Sequence, residues 1–129
     1  MEPETESNVA QLRYLVGREN RKVDSKGRTI IPPKIWNGNR GDCVYMRIRK
    51  ERTDYFDIIP EPYFDKFFAD RYCKLDIDDL SKEDFFGSLF RISLYSQNRI
   101  TLPAEVRKAV KESGIVSFVG IGSAIRVRP

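Results

Sequence analysis

Histidine is absent from the 129 residues, and cysteine occurs only as Cys43 and Cys73. Without histidine the commonest general base is missing, and neither a Ser/His nor a Cys/His nucleophile can be assembled. A mixed Cys/His zinc site is excluded on the same ground, and the two thiols have no CxxC spacing, so both read as reduced, packed residues. Asp76, Asp78 and Asp79 lack the glycine and closing glutamate that a calcium loop needs at fixed offsets. No cofactor, metal or small-molecule substrate is expected. An enzyme would have to rely on carboxylates or lysine, with Asp24 and Glu105 the residues to test. Long apolar runs are also missing: nothing approaches the roughly 18 residues of a membrane span, and the opening MEPETES has neither the basic nor the apolar region of a signal peptide. The expected place is the cytoplasm, without membrane contact.

What is present is an ordinary apolar fraction of 40% and an uneven distribution of charge. Residues 1–16 hold 1 basic and 3 acidic groups, 17–52 hold 11 and 4, 53–90 hold 4 and 10, and 91–129 hold 7 and 2. Two basic blocks therefore bracket an acidic one. Clustered positive charge of this kind suits a polyanion such as nucleic acid, or else forms a solvated face.

Along the chain, residues 1–13 are polar and Glu-rich and read as a mobile leader. From Gly17 the pattern is strand-like to Val23, turns at Ser25, Lys26 and Gly27, and resumes as the β-branched RTIIP, which together reads as a hairpin. Pro32 and Pro33 suit the first turn of a short helix, PKIWNG, closed by Gly38. In CVYMRIRK, Val44, Met46 and Ile48 alternate with Tyr45, Arg47 and Arg49, which predicts an apolar set facing inward and arginines facing out; YFDIIP is its partner strand. The acidic block predicts two amphipathic helices. EPYFDKFFADRYC lines Phe64, Phe67, Phe68 and Tyr72 along one face, and SKEDFFGSLF starts at a Ser81/Asp84 capping box followed by Phe85, Phe86, Leu89 and Phe90. These aromatic stripes read as core. PAEVRKAVKESG predicts a helix ending at Gly114, and IVSFVGIGSAIRVRP two strands about a small-residue turn.

The stretch VDSKGRTIIPP returns as LYSQNRITLPA. Asp24 falls on Tyr95, Ser25 on Ser96, Lys26 on Gln97, Gly27 on Asn98, Arg28 on Arg99, Ile31 on Leu102 and Pro32 on Pro103, always 71 residues apart. A helix, a glycine, a strand pair and a proline follow in both copies. This is an internal repeat of a βαβ-type unit, and each copy is too small to bury a comfortable core alone, so the two are expected to interlock.

NRKVDSKGRTIIPPKIW resembles the N-terminal DNA-binding element of AbrB-type transition-state regulators. Two such copies about a helical insert, closed by SFVGIGSAIRV, resemble the bacterial MraZ family of transcriptional regulators across residues 14–129. The resemblance implies a mainly β fold with short helices (α+β): two tandem swapped-hairpin repeats, at 14–60 and 91–129, forming an intertwined pseudo-dimer with a helical connector at 61–90. It also implies association into homo-oligomeric rings, nucleoid association, and binding to short repeated DNA elements upstream of a cell-division and cell-wall gene cluster, as a repressor. The family's Asp-x-x-x-Arg motif is DSKGR here, with Asp24 structuring the hairpin and Arg28 facing DNA.

The residue chemistry agrees with that implication. A guanidinium binds a phosphate or a guanine edge bidentately, which makes Arg28 the leading candidate, and Gly27 beside it permits close backbone approach. Arg18, Arg21, Lys22 and Lys26 suit phosphate contacts that fix register. In the second copy Arg99 and Gln97 are the corresponding candidates, with Asn98 able to adopt the left-handed turn conformation. Tyr95 replaces the aspartate, and Ile92 and Ser93 replace Arg21 and Lys22, so the first copy is expected to be the principal reader. The competing expectation is an AbrB/MazE-like antitoxin or other interaction module, which usually has one hairpin copy and an acidic tail rather than an internal acidic, aromatic-rich segment.

Overall fold

The computed structural model describes residues 12–36, 41–49, 52–94, 98–110 and 114–129. Antiparallel strands make up the largest share of their regular structure. The strands are β1 Arg18–Lys22, β2 Arg28–Ile30, β3 Cys43–Arg49, β4 Arg52–Pro60, β5 Leu89–Ser93, β6 Arg99–Thr101, β7 Ile115–Gly120 and β8 Ile125–Arg128. Six of them form one sheet in the order β1-β7-β8-β4-β3-β5, and β2 pairs with β6 in a separate two-stranded ribbon.

The expected first hairpin is present as a turn but not as a ladder. Asp24 N–H donates to the Arg28 carbonyl at 3.0 Å and Gly27 N–H to the Asp24 carbonyl at 2.9 Å. Beyond this turn the arms part. β1 runs antiparallel to β7, Arg18 opposite Val119 and Lys22 opposite Ile115, whereas β2 runs antiparallel to β6, Arg28 opposite Thr101 and Ile30 opposite Arg99. Backbone groups on each arm are satisfied by a partner far along the chain, which local hairpin signals do not specify.

Strand alternation decides which side chains enter the core. Val44, Met46, Phe56, Ile58, Val116, Phe118, Ile125 and Val127 are all buried on one face of the sheet. Ile31, Ile35 and Trp36 of the segment containing α1 (Pro33–Trp36), with Ile100, Leu102 and Val110, belong to the same apolar cluster. Ribbon and short helices thus close the inner face. Near the N-terminus the carbonyl of Arg13 accepts the Tyr63 hydroxyl, and Leu15 and Gly122 exchange two backbone bonds of 2.8 and 3.0 Å. Arg13, grouped with the leader on composition, is therefore tied to the body of the protein. The close approach needs Gly120, where a Cβ would fall 2.5 Å from the backbone of Leu15.

The other face of the sheet is partly roofed by the acidic, aromatic block. α2 (Glu61–Tyr63), a π-helical stretch (Phe64–Ala69) and α3 (Asp70–Cys73) follow one another directly, and α4 spans Leu80–Gly87. Phe64, Phe68 and Tyr72 recur every four residues. In a pure α-helix such a stripe drifts around the axis, and the wider π turn offsets that drift. All three rings stack on Phe85, with Tyr72 at 3.9 Å, and Phe64 also stacks on Tyr45 at 3.9 Å.

This roof alters several sequence expectations. Tyr45 and Arg47 do point away from the inner face, but into the insert: the Arg47 guanidinium lies 5.0 Å from the Phe85 ring centroid and is half-buried. Burial, with the neighbouring Arg49 charge, lowers its pKa from the ordinary arginine value. α4 is capped by Asp79, whose carboxylate accepts the Ser81 N–H at 2.8 Å, rather than by a box starting at Ser81, and it ends at Gly87 so that Leu89 and Phe90 lie on β5. Cys43 is buried, but Cys73 is exposed at the end of α3, away from the aromatic stripe. The proposed helix stop at Gly38 and the leader up to residue 11 lie outside the described residues.

Candidate nucleic-acid interface

The β2–β6 ribbon is three residues long on each side, so alternation gives it a simple two-faced character. Thr29 and Ile100, directly paired, are buried, and the Thr29 hydroxyl donates to the Lys22 carbonyl at 3.0 Å. Arg28, Ile30, Arg99 and Thr101 therefore share the outward face. Arg28 and Arg99 are diagonal neighbours there, a relation that places residues about 7–8 Å apart in antiparallel pairs, within reach of long side chains.

Arg28 is held in place by the turn that precedes it. The Oδ1 of Asp24 accepts the N–H groups of Lys26 at 2.9 Å and Arg28 at 2.8 Å, while Oδ2 accepts the Arg28 Nε–H at 2.8 Å. Acceptance from the Arg28 backbone is the main reason the Asp24 carboxyl titrates below its ordinary value. One carboxylate thus orders the turn and fixes the base of the guanidinium, and the Nη groups retain the fork geometry suited to an oxyanion or a guanine edge. In the second copy the equivalent position is Tyr95, which cannot supply that carboxylate.

The two turns share a backbone device. Gly27 has φ +78° and its carbonyl accepts the Leu102 N–H at 2.8 Å; Asn98 has φ 57° and its carbonyl accepts the Ile31 N–H at 3.0 Å. These are corresponding positions 71 residues apart. Gln97 lies outside the described residues.

The remaining basic residues do not gather on one face. Along β1, Arg18, Asn20 and Lys22 are exposed and alternate with half-buried Glu19 and Arg21. Arg21 is ion-paired with Glu19, which also binds Lys34 of α1 at 3.3 Å, and the Arg21 Nε is buried without a hydrogen-bond partner. Arg21 is thereby turned to the inner side, on the opposite face of the strand from Arg18 and Lys22. Lys26 is exposed within the turn itself. Of the seven basic or amide candidates, the ribbon face brings together Arg28 and Arg99, and the adjoining turn adds Lys26. One residue that sequence reasoning did not select also reaches this turn: Arg107, on α5 (Ala104–Val110), packs against Gly27. The repeat carried no sign of it, because the corresponding residue in the first copy is Trp36.

Among the described residues no group of three or more metal-ligating side chains occurs, and no helix is long and apolar enough to cross a membrane.

No family model matches the chain. Among curated proteins it is similar to the transcriptional regulator MraZ of Thermoanaerobacter pseudethanolicus, with 27% identity over 120 residues covering 88% of this chain and 79% of that protein. This similarity supports membership of the MraZ family.

Proposed function

We propose that the protein is a transcriptional regulator that binds double-stranded DNA through the outward face of the β2–β6 ribbon and the turn before it. The observation that carries this reading is the diagonal placement of Arg28 and Arg99 on one outward face of a two-stranded ribbon whose other face is locked into the core. A two-stranded β-ribbon fits the major groove of B-DNA, and arginine is the commonest reader of guanine there.

Strand pairing supports a pair of intertwined copies. A shift of 71 residues carries β1 onto β5 and β2 onto β6, and the two halves exchange strands: β1 with β7, β5 with β3, β2 with β6. In this reading each copy's hairpin is split across the other, and the described acidic helices form the connector. Identical chains associate, as a ring in the form the family resemblance implies, and engage repeated elements together. The nucleoid is the corresponding location, and repression of a cell-division and cell-wall gene cluster the corresponding role. Association is needed because a few base contacts from one ribbon give too little discrimination against a genome of competing sites.

The deciding experiment is an anisotropy titration of DNA from directly upstream of the protein's own gene. Arg28→Ala should cost about 1–3 kcal/mol per engaged site, as for a bidentate base contact, and Arg99→Ala less, since no carboxylate corresponds to Asp24 in its copy. Wild-type affinity in both variants would overturn the proposal.

A further inference from the structure

Arg107 belongs to the second copy but lies at the turn of the first. A Cβ built on Gly27 would fall 2.3 Å from its Nε, 2.7 Å from its Cδ and 2.9 Å from its Cζ, so the guanidinium occupies the space a side chain at position 27 would need. Its approach is fixed at two points. The Leu102 N–H bonds the Gly27 carbonyl at 2.8 Å, and five residues later Arg107 opens its own helical bond to the Pro103 carbonyl at 3.0 Å. Gly27, at φ +78°, is both a left-handed turn residue and the seat for this side chain.

The consequence is electrostatic. Lys26 and Arg28 flank Gly27 in sequence, and Arg107 adds a third cation to the same turn. The nearby carboxylate, Asp24, is already engaged by Arg28 and two turn N–H groups. Among the described residues no carboxylate is paired with Arg107, and it is exposed. Three like charges on one turn with a single engaged carboxylate form a seat for anionic groups. At the corresponding position of the first copy stands Trp36, which is buried and uncharged, so this position supplies no cation to the Asn98 turn.

We propose that Arg107 is a DNA-contacting residue of the Gly27 turn, binding a backbone phosphate beside the site read by Arg28, so that the first reader is assembled from both copies while the second is not. The inference rests on the DNA-binding reading of that turn. It makes the two turns unequal through a residue outside the Asp-x-x-x-Arg motif, and gives the protein a defined polarity on its duplex.

The test uses Arg107→Gln, which keeps the packing stem over Gly27 and removes the charge, with Arg107→Lys as the charge-keeping control and Arg28→Ala as the reference. Thermal melts establish that each variant is folded, and affinity for a mixed-sequence duplex is measured across a salt series. With one phosphate contact fewer, Arg107→Gln should weaken binding about five- to tenfold at low salt and reduce the slope of log affinity against log salt by about 1, while Arg107→Lys keeps the slope. An unchanged slope in Arg107→Gln, with binding lost in Arg28→Ala, would overturn this inference and leave the DNA-binding reading standing. Unchanged binding in both Arg107→Gln and Arg28→Ala would overturn the reading itself. Equal losses in Arg107→Gln and Arg107→Lys would assign Arg107 to packing of the turn rather than to DNA.

Discussion

Asp57 and Arg126 face each other in register on the two central strands of the sheet, with Arg126 Nε donating to Asp57 Oδ1 at 2.8 Å and Nη2 to Oδ2 at 3.2 Å. The pair is also the midpoint of the β4–β8 ladder, where Phe56 meets Val127 and Ile58 meets Ile125. Arg126 lies over the Tyr55 ring at 4.1 Å from its centroid, so the guanidinium is stacked on an aromatic face as well as paired. Asp57 is 8% exposed and Arg126 26%.

Removing one partner of this pair should be expensive. Breaking a buried pair costs about 3–5 kcal/mol, and the partial exposure of Arg126 lowers the expectation for Asp57→Ala to about 2–4 kcal/mol. Urea denaturation measures it. The exchanged pair Asp57→Arg with Arg126→Asp should regain part of the loss, and a double variant as unstable as the sum of its single changes would show that the geometry is not interchangeable.

Gly27→Ala tests the turn. An L-residue at φ +78° costs about 1–2 kcal/mol, and the added methyl must also displace Arg107. The melting temperature should fall by about 5 °C or more. Asn98→Gly, at a position where asparagine is already tolerated, should shift it by much less.

Acid should loosen the same turn. The carboxyl of Asp24 titrates below its ordinary value of 3.8, because its charged form accepts the Arg28 and Lys26 N–H groups and pairs with the Arg28 guanidinium. A lowered folded-state pKa means that this contribution is complete above the ordinary value and is lost as pH falls through the lowered one. The amide resonances of Lys26 and Arg28 should therefore hold their positions down to about pH 4 and move only below it. In Asp24→Asn that acid transition should be absent, with DNA affinity reduced even at neutral pH.

DNA affinity should depend steeply on salt. For about six phosphate contacts in an assembled protein, binding should fall about a thousandfold or more between about 50 and 200 mM salt. Light scattering should give a mass well above 15.0 kDa, and a duplex with several repeated elements should bind far more tightly than one with a single element. A salt-independent affinity would remove the electrostatic basis of the interface.

Local chemistry was legible in the sequence: the turn at Ser25, Lys26 and Gly27, the β3–β4 and β7–β8 strand pairs, and the Phe64, Phe68 and Tyr72 stripe of the insert follow from spacing and residue type, whereas Phe67, expected in that stripe, is 44% exposed. Partner choice was not. Nothing local tells β1 to pair with β7, because the backbone of a short polar strand such as RENRK is satisfied by any suitable edge, and only the 71-residue repeat hinted at long-range pairing. Burial of Arg47 was equally hidden, since period-two alternation cannot foresee that Phe85 roofs the polar face. Arg21, the middle of a basic run, is turned away by Glu19, and Arg107 is brought in by tertiary packing. Both reversals concern which side of a strand or helix a charge occupies, a property fixed by distant neighbours.

The long-range strand pairing also bears on how the chain emerges from the ribosome. β1 and β2 are synthesised early, but their partners β7 and β6 lie in the last third of the sequence. The β3–β4 pair and the aromatic insert can assemble locally, leaving β1 and the apolar side of β2 waiting through most of synthesis. Such long-range closure slows folding and leaves strand edges open to other chains. Two nascent copies held close together on one messenger could complete each other's ladders, so the same pairing that unites the halves of one molecule offers a route to cross-linked assemblies formed at birth.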